Sequence, residues 1–136
     1  MNTFFDKIEC QAAALGRHTT TMAHTPTPIP ITLDKAYTMG CWCGLEGIRK
    51  CLNNKETFGL LLEMSEEAYE RWCEGLHEAV NKWIIQKKPK QHPYVVVCAA
   101  ADNVYALCLT FSKKEYEHHK GIAQRLGGIE QPSAAP

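Results

Sequence analysis

The chain has 136 residues, of which 45% are hydrophobic, and its 15 basic residues are balanced by 15 acidic ones. This length is typical of one domain, and the apolar fraction argues against an intrinsically disordered chain. The zero net charge gives no long-range attraction to nucleic acid or to an anionic membrane, and no apolar run approaches the roughly 20 residues of a membrane span. We therefore expect one globular domain that does not enter a membrane.

The first 30 residues differ in composition from the rest and are predicted to be an N-terminal arm. Residues 3–15 have a helical apolar face that includes Phe4 and Phe5, whereas residues 17–30 are rich in Thr, His and Pro, and proline forbids a helix there. The charged start does not resemble the apolar stretch of a secretion signal, so we expect a cytoplasmic protein with reduced cysteines. Residues 31–128 are assigned to the domain and residues 129–136 to a flexible tail.

A helix is predicted over residues 34–52, with Asp34 as its N-cap. Steps of 100° per residue divide this helix into a predicted buried face and an opposite face. The predicted buried face consists of Tyr37, Cys41, Leu45, Ile48, Cys51 and Leu52. Cys43 lies off this face, and Met39 and Trp42 lie on the opposite side.

Three glycines interrupt this predicted helix, namely Gly40, Gly44 and Gly47. Together they lower its helix propensity by about 3 kcal/mol. Two explanations remain open at this point. Either another backbone packs closely against the glycines, or residues 38–47 form a loop.

The middle of the chain predicts a short strand at residues 58–64, followed by the clearest helix of the sequence. Ser65 is its N-cap, apolar residues repeat at helical spacing as far as Ile84, and Pro89 ends it. The two apolar runs Tyr94–Ala101 and 104–111 flank Asp102 and Asn103, which predicts a hairpin. The first of these strands is apolar on both faces, so we expect it to be central in the sheet.

A last helix is predicted from Ser112, which forms a capping box with Glu115, to the glycine pair at 127–128. His119 falls on its apolar face, where a histidine is usually a hydrogen-bonded core residue.

These elements predict an α+β fold in the order arm, α, β, α, β, β, α. Because β–α–β crossovers are right-handed, the strand at 58–64 is expected to run parallel to one strand of the hairpin. Residues 28–33 are a candidate edge strand, a position where proline is tolerated. Helices mainly on one side of a mixed sheet of three or four strands would leave its other face free for pairing in a homodimer.

Seven cysteines are present, and three of them lie between residues 41 and 51. The candidates for thiol chemistry or a zinc site are Cys41, Cys43, Cys51, Cys73 and His77. On a helix the sulfurs of Cys41 and Cys43 point about 160° apart, which does not suit a zinc site. Cys43, off the predicted buried face, is the better candidate for a reactive thiol. Reduced cysteine is also among the most buried residue types, so we expect packed thiols and neither a metal nor another cofactor.

The segment from Lys82 to His92 contains four lysines and no acidic residue. Lys87, Lys88 and Lys90 are the candidates for phosphate contacts in a nucleic-acid-binding regulator. The same lysines suit the C-terminal end of a helix, where the helix dipole favours cations. Nucleic-acid binding is therefore an alternative to a purely structural role for these lysines.

The remaining candidates form an interaction surface made of Met39, Trp42 and Arg49, together with Phe4 and Phe5 of the arm. Tryptophan and methionine are enriched in the cores of protein interfaces. Either the arm or another protein is expected to cover them, since an exposed apolar patch marks a contact. We predict a small non-enzymatic protein that binds another protein as a subunit, an adaptor or an inhibitor of the kind found in phages and plasmids. A thiol or zinc-binding protein is the other alternative.

Overall fold

A computed structural model describes residues 27–55 and 57–125, which form an α+β fold with three α-helices and a mixed four-stranded sheet. In chain order the elements are β1 (Ile29–Pro30), α1 (Ala36–Asn54), β2 (Phe58–Glu63), α2 (Glu66–Lys87), β3 (Tyr94–Ala101), β4 (Val104–Thr110) and α3 (Lys113–Arg125). The predicted fold class and element order are therefore confirmed. The predictions for residues 1–26 and 126–136, including the helix at 3–15 and the flexible tail, lie outside the described residues.

The strands of the sheet lie in the order β1-β2-β4-β3. β1 runs parallel to β2, whereas β4 is antiparallel to both of its neighbours. β2 and β3 therefore share one direction, as the crossover rule predicts, and β4 lies between them. The candidate edge strand at 28–33 is confirmed in part, because β1 contains two residues at the edge beside β2.

The apolar strand β3 lies at the other edge of the sheet, so its predicted central position is wrong. Val95, Val96, Val97 and Cys98 are nevertheless all buried. Val95 and Val97 pack into the core on the side of α1 and α2, whereas Val96 and Cys98 pack into the core beneath α3. Helices on both faces, rather than strands on both sides, explain why this strand is apolar throughout.

Two hydrophobic cores lie on opposite faces of the sheet. The larger core joins α1 and α2 to the sheet, with Trp72, Leu76 and Leu107 at its centre. The smaller core joins α3 to β3 and β4 through His119, Ile122 and Ala123, all of them fully buried. The expectation of a sheet face left free for a homodimer is therefore wrong where α3 covers it.

Local capping signals place the second and third helices where the sequence predicts them. The Ser65 hydroxyl accepts a hydrogen bond from Ala68 N at 3.1 Å, and the Ser112 hydroxyl accepts one from Glu115 N at 3.2 Å. These bonds satisfy backbone N–H groups that a helix N-terminus leaves without an intrahelical partner.

The start of α1 differs from its prediction. A single 3-10 turn, Leu33–Lys35, precedes the helix, and Asp34 lies inside this turn rather than at an N-cap. The N-cap position of α1 is Lys35, whose side chain makes no capping hydrogen bond. The helix then continues without interruption to Asn54, so residues 38–47 are helical and do not form a loop.

Close approach of two backbones explains Gly40 of α1, whereas Gly47 faces side chains of the sheet. A Cβ atom at Gly40 would overlap the carbonyl oxygen of Trp72 and lie 2.9 Å from Leu76 N. A Cβ atom at Gly75, on the facing side of α2, would overlap the carbonyl oxygen of Tyr37. Each glycine therefore leaves room for the main chain of the other helix, which offsets its low helix propensity.

The glycine contacts turn α1 by about a quarter turn from the predicted orientation. The buried face consists of Ala36, Gly40, Cys43, Gly44, Gly47, Ile48 and Cys51. Ile48 and Cys51 are buried as predicted, whereas Leu45 and Leu52 are exposed and Cys43 is fully buried. The predicted buried face of this helix is thus wrong at these three positions.

We expect Gly40→Ala and Gly75→Ala each to lower the free energy of unfolding by about 3 kcal/mol, because the added methyl group must push two backbones apart. Urea denaturation followed by far-UV circular dichroism measures this change.

Gly121→Ala is the matched control, because a Cβ atom at this helical glycine meets only the Arg125 side chain, at 3.8 Å. This change should raise stability by about 0.5–1 kcal/mol through helix propensity. An unaltered denaturation midpoint for Gly40→Ala would contradict the proposed role of the backbone contact.

Candidate protein-interaction surface

The side of α1 that faces away from the core carries large apolar side chains. Trp42, Leu45 and Leu52 are 48%, 50% and 52% exposed. Together with Arg49 they lie within an arc of about 80° around the helix, and we call these four residues the outer strip. Apolar side chains of this size seldom form a row on a surface that contacts only water.

An ion pair borders the outer strip. Arg49 Nε donates to Glu46 Oε1 at 2.6 Å and Arg49 Nη2 donates to Glu46 Oε2 at 2.7 Å. This two-point contact lowers the pKa of the Glu46 carboxyl and raises the pKa of the Arg49 guanidinium. The pair joins two residues of one helix turn and orients the Arg49 guanidinium toward Glu46, at the border of the strip, while its charge stays accessible to solvent.

Two members of the predicted interaction surface, Trp42 and Arg49, belong to the outer strip. Met39 does not, because its half-buried side chain packs against the larger core. Phe4 and Phe5 lie outside the described residues. Trp42 and Arg49 are thus exposed and Met39 is half-buried, and the predicted interaction surface stays a prediction.

Leu45 and Leu52 are the members of the outer strip that the sequence prediction missed. Hydrophobic periodicity places them in the core because they are apolar and share a helix face with Ile48. A signal was present in the three glycines, whose own face is the one that another backbone can approach. A helix wheel with Gly40, Gly44 and Gly47 at the centre of the buried face places both leucines on the exposed side.

Burial favours the protonated form of the thiols of Cys43, Cys73 and Cys98. Burial raises the pKa of the Cys43 thiol to about 11, and the neighbouring Trp72 side chain opposes this shift only in part. Burial also raises the pKa of Cys73 to about 11 and that of Cys98 to about 12. Because the thiolate is the nucleophile, these cysteines are poor candidates for catalysis, and Cys43 in particular is not the exposed reactive thiol that the helix wheel predicted.

The candidates for a metal site differ in burial and in hydrogen bonding. Cys51 is buried, and its thiol donates to the carbonyl oxygen of Leu109 at 3.2 Å. Cys41, Cys73 and His77 are half-buried. Within residues 27–55 and 57–125, no three His, Cys, Asp or Glu side chains come together in a way that could hold a metal ion.

The lysine candidates for nucleic-acid binding lie at the C-terminal end of α2. Lys87 is in the last turn, Lys88 has the left-handed conformation (φ 47°) that ends the helix, and Lys90 follows in the loop. All three are exposed. Their position agrees with the preference of cations for this end of the helix dipole, and nucleic-acid binding stays a prediction.

The raised thiol pKa values predict a loss of stability at high pH. Burial raises the pKa of the Cys98 thiol from 9.0, its ordinary value, to about 12 in the fold. The stabilisation that this shift provides is complete below pH 9 and is lost as the pH rises from 9 toward 12. We expect the free energy of unfolding of the wild type to fall more steeply than that of Cys98→Ala between pH 9 and 11, by about 1.4 kcal/mol per pH unit.

Denaturant titrations at half-unit pH steps measure this difference in slope. Val96→Ala is the matched control, because it also removes buried atoms from the smaller core but removes no titrating group. It should lower stability equally at every pH. Equal slopes for the wild type and Cys98→Ala would contradict the prediction.

Comparisons with known proteins add no family to these observations. No protein-family model matches the chain, and neither a curated protein nor a solved structure shows significant similarity to it. Within the described residues, no helix is both long enough and apolar enough to span a membrane. The outer strip is therefore the feature from which a function can be argued.

Proposed function

We propose that this protein acts by binding another protein chain through the outer strip of α1, as a subunit, an adaptor or an inhibitor. The observation that carries the proposal is the row formed by Trp42, Leu45 and Leu52, each about half exposed, opposite the buried face of the helix. Tryptophan is the residue most often found among the dominant contacts of protein interfaces.

The close packing of α1 supports this proposal. Gly40 lets the helix pack against the backbone of α2, and Gly47 faces the sheet, where a Cβ atom would lie 2.9 Å from Phe58 Cδ2 and 3.2 Å from Leu109 Cδ1. Turning the outer strip inward would replace these glycines with larger side chains at the same close contacts. A preformed apolar row loses little conformational entropy on binding, which favours association.

The rest of the exposed apolar surface is less well suited to binding. Ile85, on α2, is 71% exposed, and Ile29 and Leu33 precede α1. Ile85 is the single large apolar side chain of α2 that is exposed, and isolated surface apolar residues are normal. The outer strip differs because its members follow each other at helical spacing.

We expect Trp42→Ala to change the free energy of unfolding by less than about 1 kcal/mol while abolishing partner association, because Trp42 contributes to the surface and not to the core. Trp72→Ala is the stability control, since the fully buried indole should cost about 3–5 kcal/mol. Thermal and urea denaturation measure both changes. A loss of stability at Trp42 equal to that at Trp72 would place Trp42 in the core.

Association is measured by capture from a native lysate on three immobilised proteins, with quantitative mass spectrometry. The wild type and Ile85→Ser should retain the same partner, whereas a Trp42→Ser/Leu45→Ser/Leu52→Ser variant should not. Ile85→Ser controls for a general loss of surface hydrophobicity on the other helix. Retention of the same proteins by all three would contradict the proposal.

A further inference from the structure

The outer strip has the spacing of a coiled-coil seam. Its residues stand at positions 42, 45, 49 and 52, so the intervals are three, four and three residues, as in the a and d positions of two heptads. All four lie in one uninterrupted helix. An arc of about 80° is narrower than the apolar face by which a helix joins a globular core, and it suits contact with a single helix.

The charges of this seam match a second copy of the same seam in the antiparallel direction. In that alignment Trp42 lies opposite Leu52 of the second copy, and Leu45 lies opposite Arg49. The Arg49 guanidinium of each copy then comes beside Glu46 of the other copy, because Glu46 follows Leu45 in the sequence. A parallel alignment would instead place Arg49 opposite Arg49, where like charges repel.

From this self-complementarity we propose that the partner is a second copy of this chain, bound by antiparallel pairing of the two outer strips. The pairing has twofold symmetry, as an isologous interface requires. The inference rests on the proposed function, because it names the partner of the same surface. Arg49, a charged residue at one a position, sets the direction and alignment of the pair.

The size of the strip predicts a weak dimer. From Trp42 to Leu52 the helix rises by about 15 Å, so the seam buries less than the roughly 800 Å² per partner of a standard stable interface. Association is therefore expected in the range of tens of micromolar and above, and the full-length chain exchanges between monomer and dimer.

Variants with reversed charges test this arrangement. Their dimerisation is measured by sedimentation velocity of the full-length chain between about 1 μM and 1 mM. The wild type should dimerise with rising concentration. Glu46→Arg puts two guanidinium groups beside each other across the interface, and Arg49→Glu puts two carboxylates there, so each should weaken dimerisation at least tenfold. An equal mixture of these two variants restores complementary charges and should associate as tightly as the wild type.

The double variant Glu46→Arg/Arg49→Glu is the matched control, because it exchanges the charges without changing their number and should dimerise like the wild type. Circular dichroism of each variant checks that α1 is still folded. Dimerisation that is equal in all variants would overturn the antiparallel seam.

A wild type that stays monomeric at 1 mM would overturn the second copy as partner. If the wild type then captures a different protein from the lysate and the triple serine variant does not, the proposed function stands with a heterologous partner. Greater quenching of tryptophan fluorescence by acrylamide in Phe4→Ser/Phe5→Ser would instead show that the chain's own arm covers the strip. Equal capture by the wild type and the triple variant would remove the proposed function itself.

Discussion

The contact between the backbones of α1 and α2 is the constraint on which the rest of the structure depends. Gly40 and Gly75 let each helix approach the carbonyl groups of the other, and this closeness fixes how α1 is rotated about its own axis. With the glycine face turned inward, Cys43, Ile48 and Cys51 enter the larger core. The same rotation places the outer strip on the opposite, exposed side of the helix.

The elements that the sequence predicts correctly are those controlled by neighbouring residues. The hydroxyls of Ser65 and Ser112 hydrogen-bond to the first turn of the helix that follows, so the start of α2 and of α3 is encoded within four residues. The hairpin of β3 and β4 is similarly local, since Asn103 adopts the positive φ (59°) that its turn requires. Such signals need no knowledge of the tertiary fold.

The elements that the sequence predicts wrongly depend on contacts far along the chain. Hydrophobic periodicity gives weight to Leu45 and Leu52 and none to glycine, yet the decisive contact of α1 is a backbone contact with residues more than 30 positions away. The prediction that β3 is a central strand is wrong for a related reason. Helices on both faces of the sheet bury this edge strand as completely as a central one. For the same reason the sequence does not predict half of the candidate site, because hydrophobic periodicity places the two leucines of the outer strip in the core.

The small contact area of α3 has a consequence for how the molecule opens. This helix contributes three buried residues, whereas α1 and α2 contribute seven each to the other side of the sheet. Since the free energy of local opening follows the buried apolar area that is lost, α3 can detach while the larger core stays intact. Its amide hydrogens should then exchange with solvent through partial unfolding, and those of α1 only when the whole domain unfolds. We therefore expect the two faces of one sheet to belong to units of different stability.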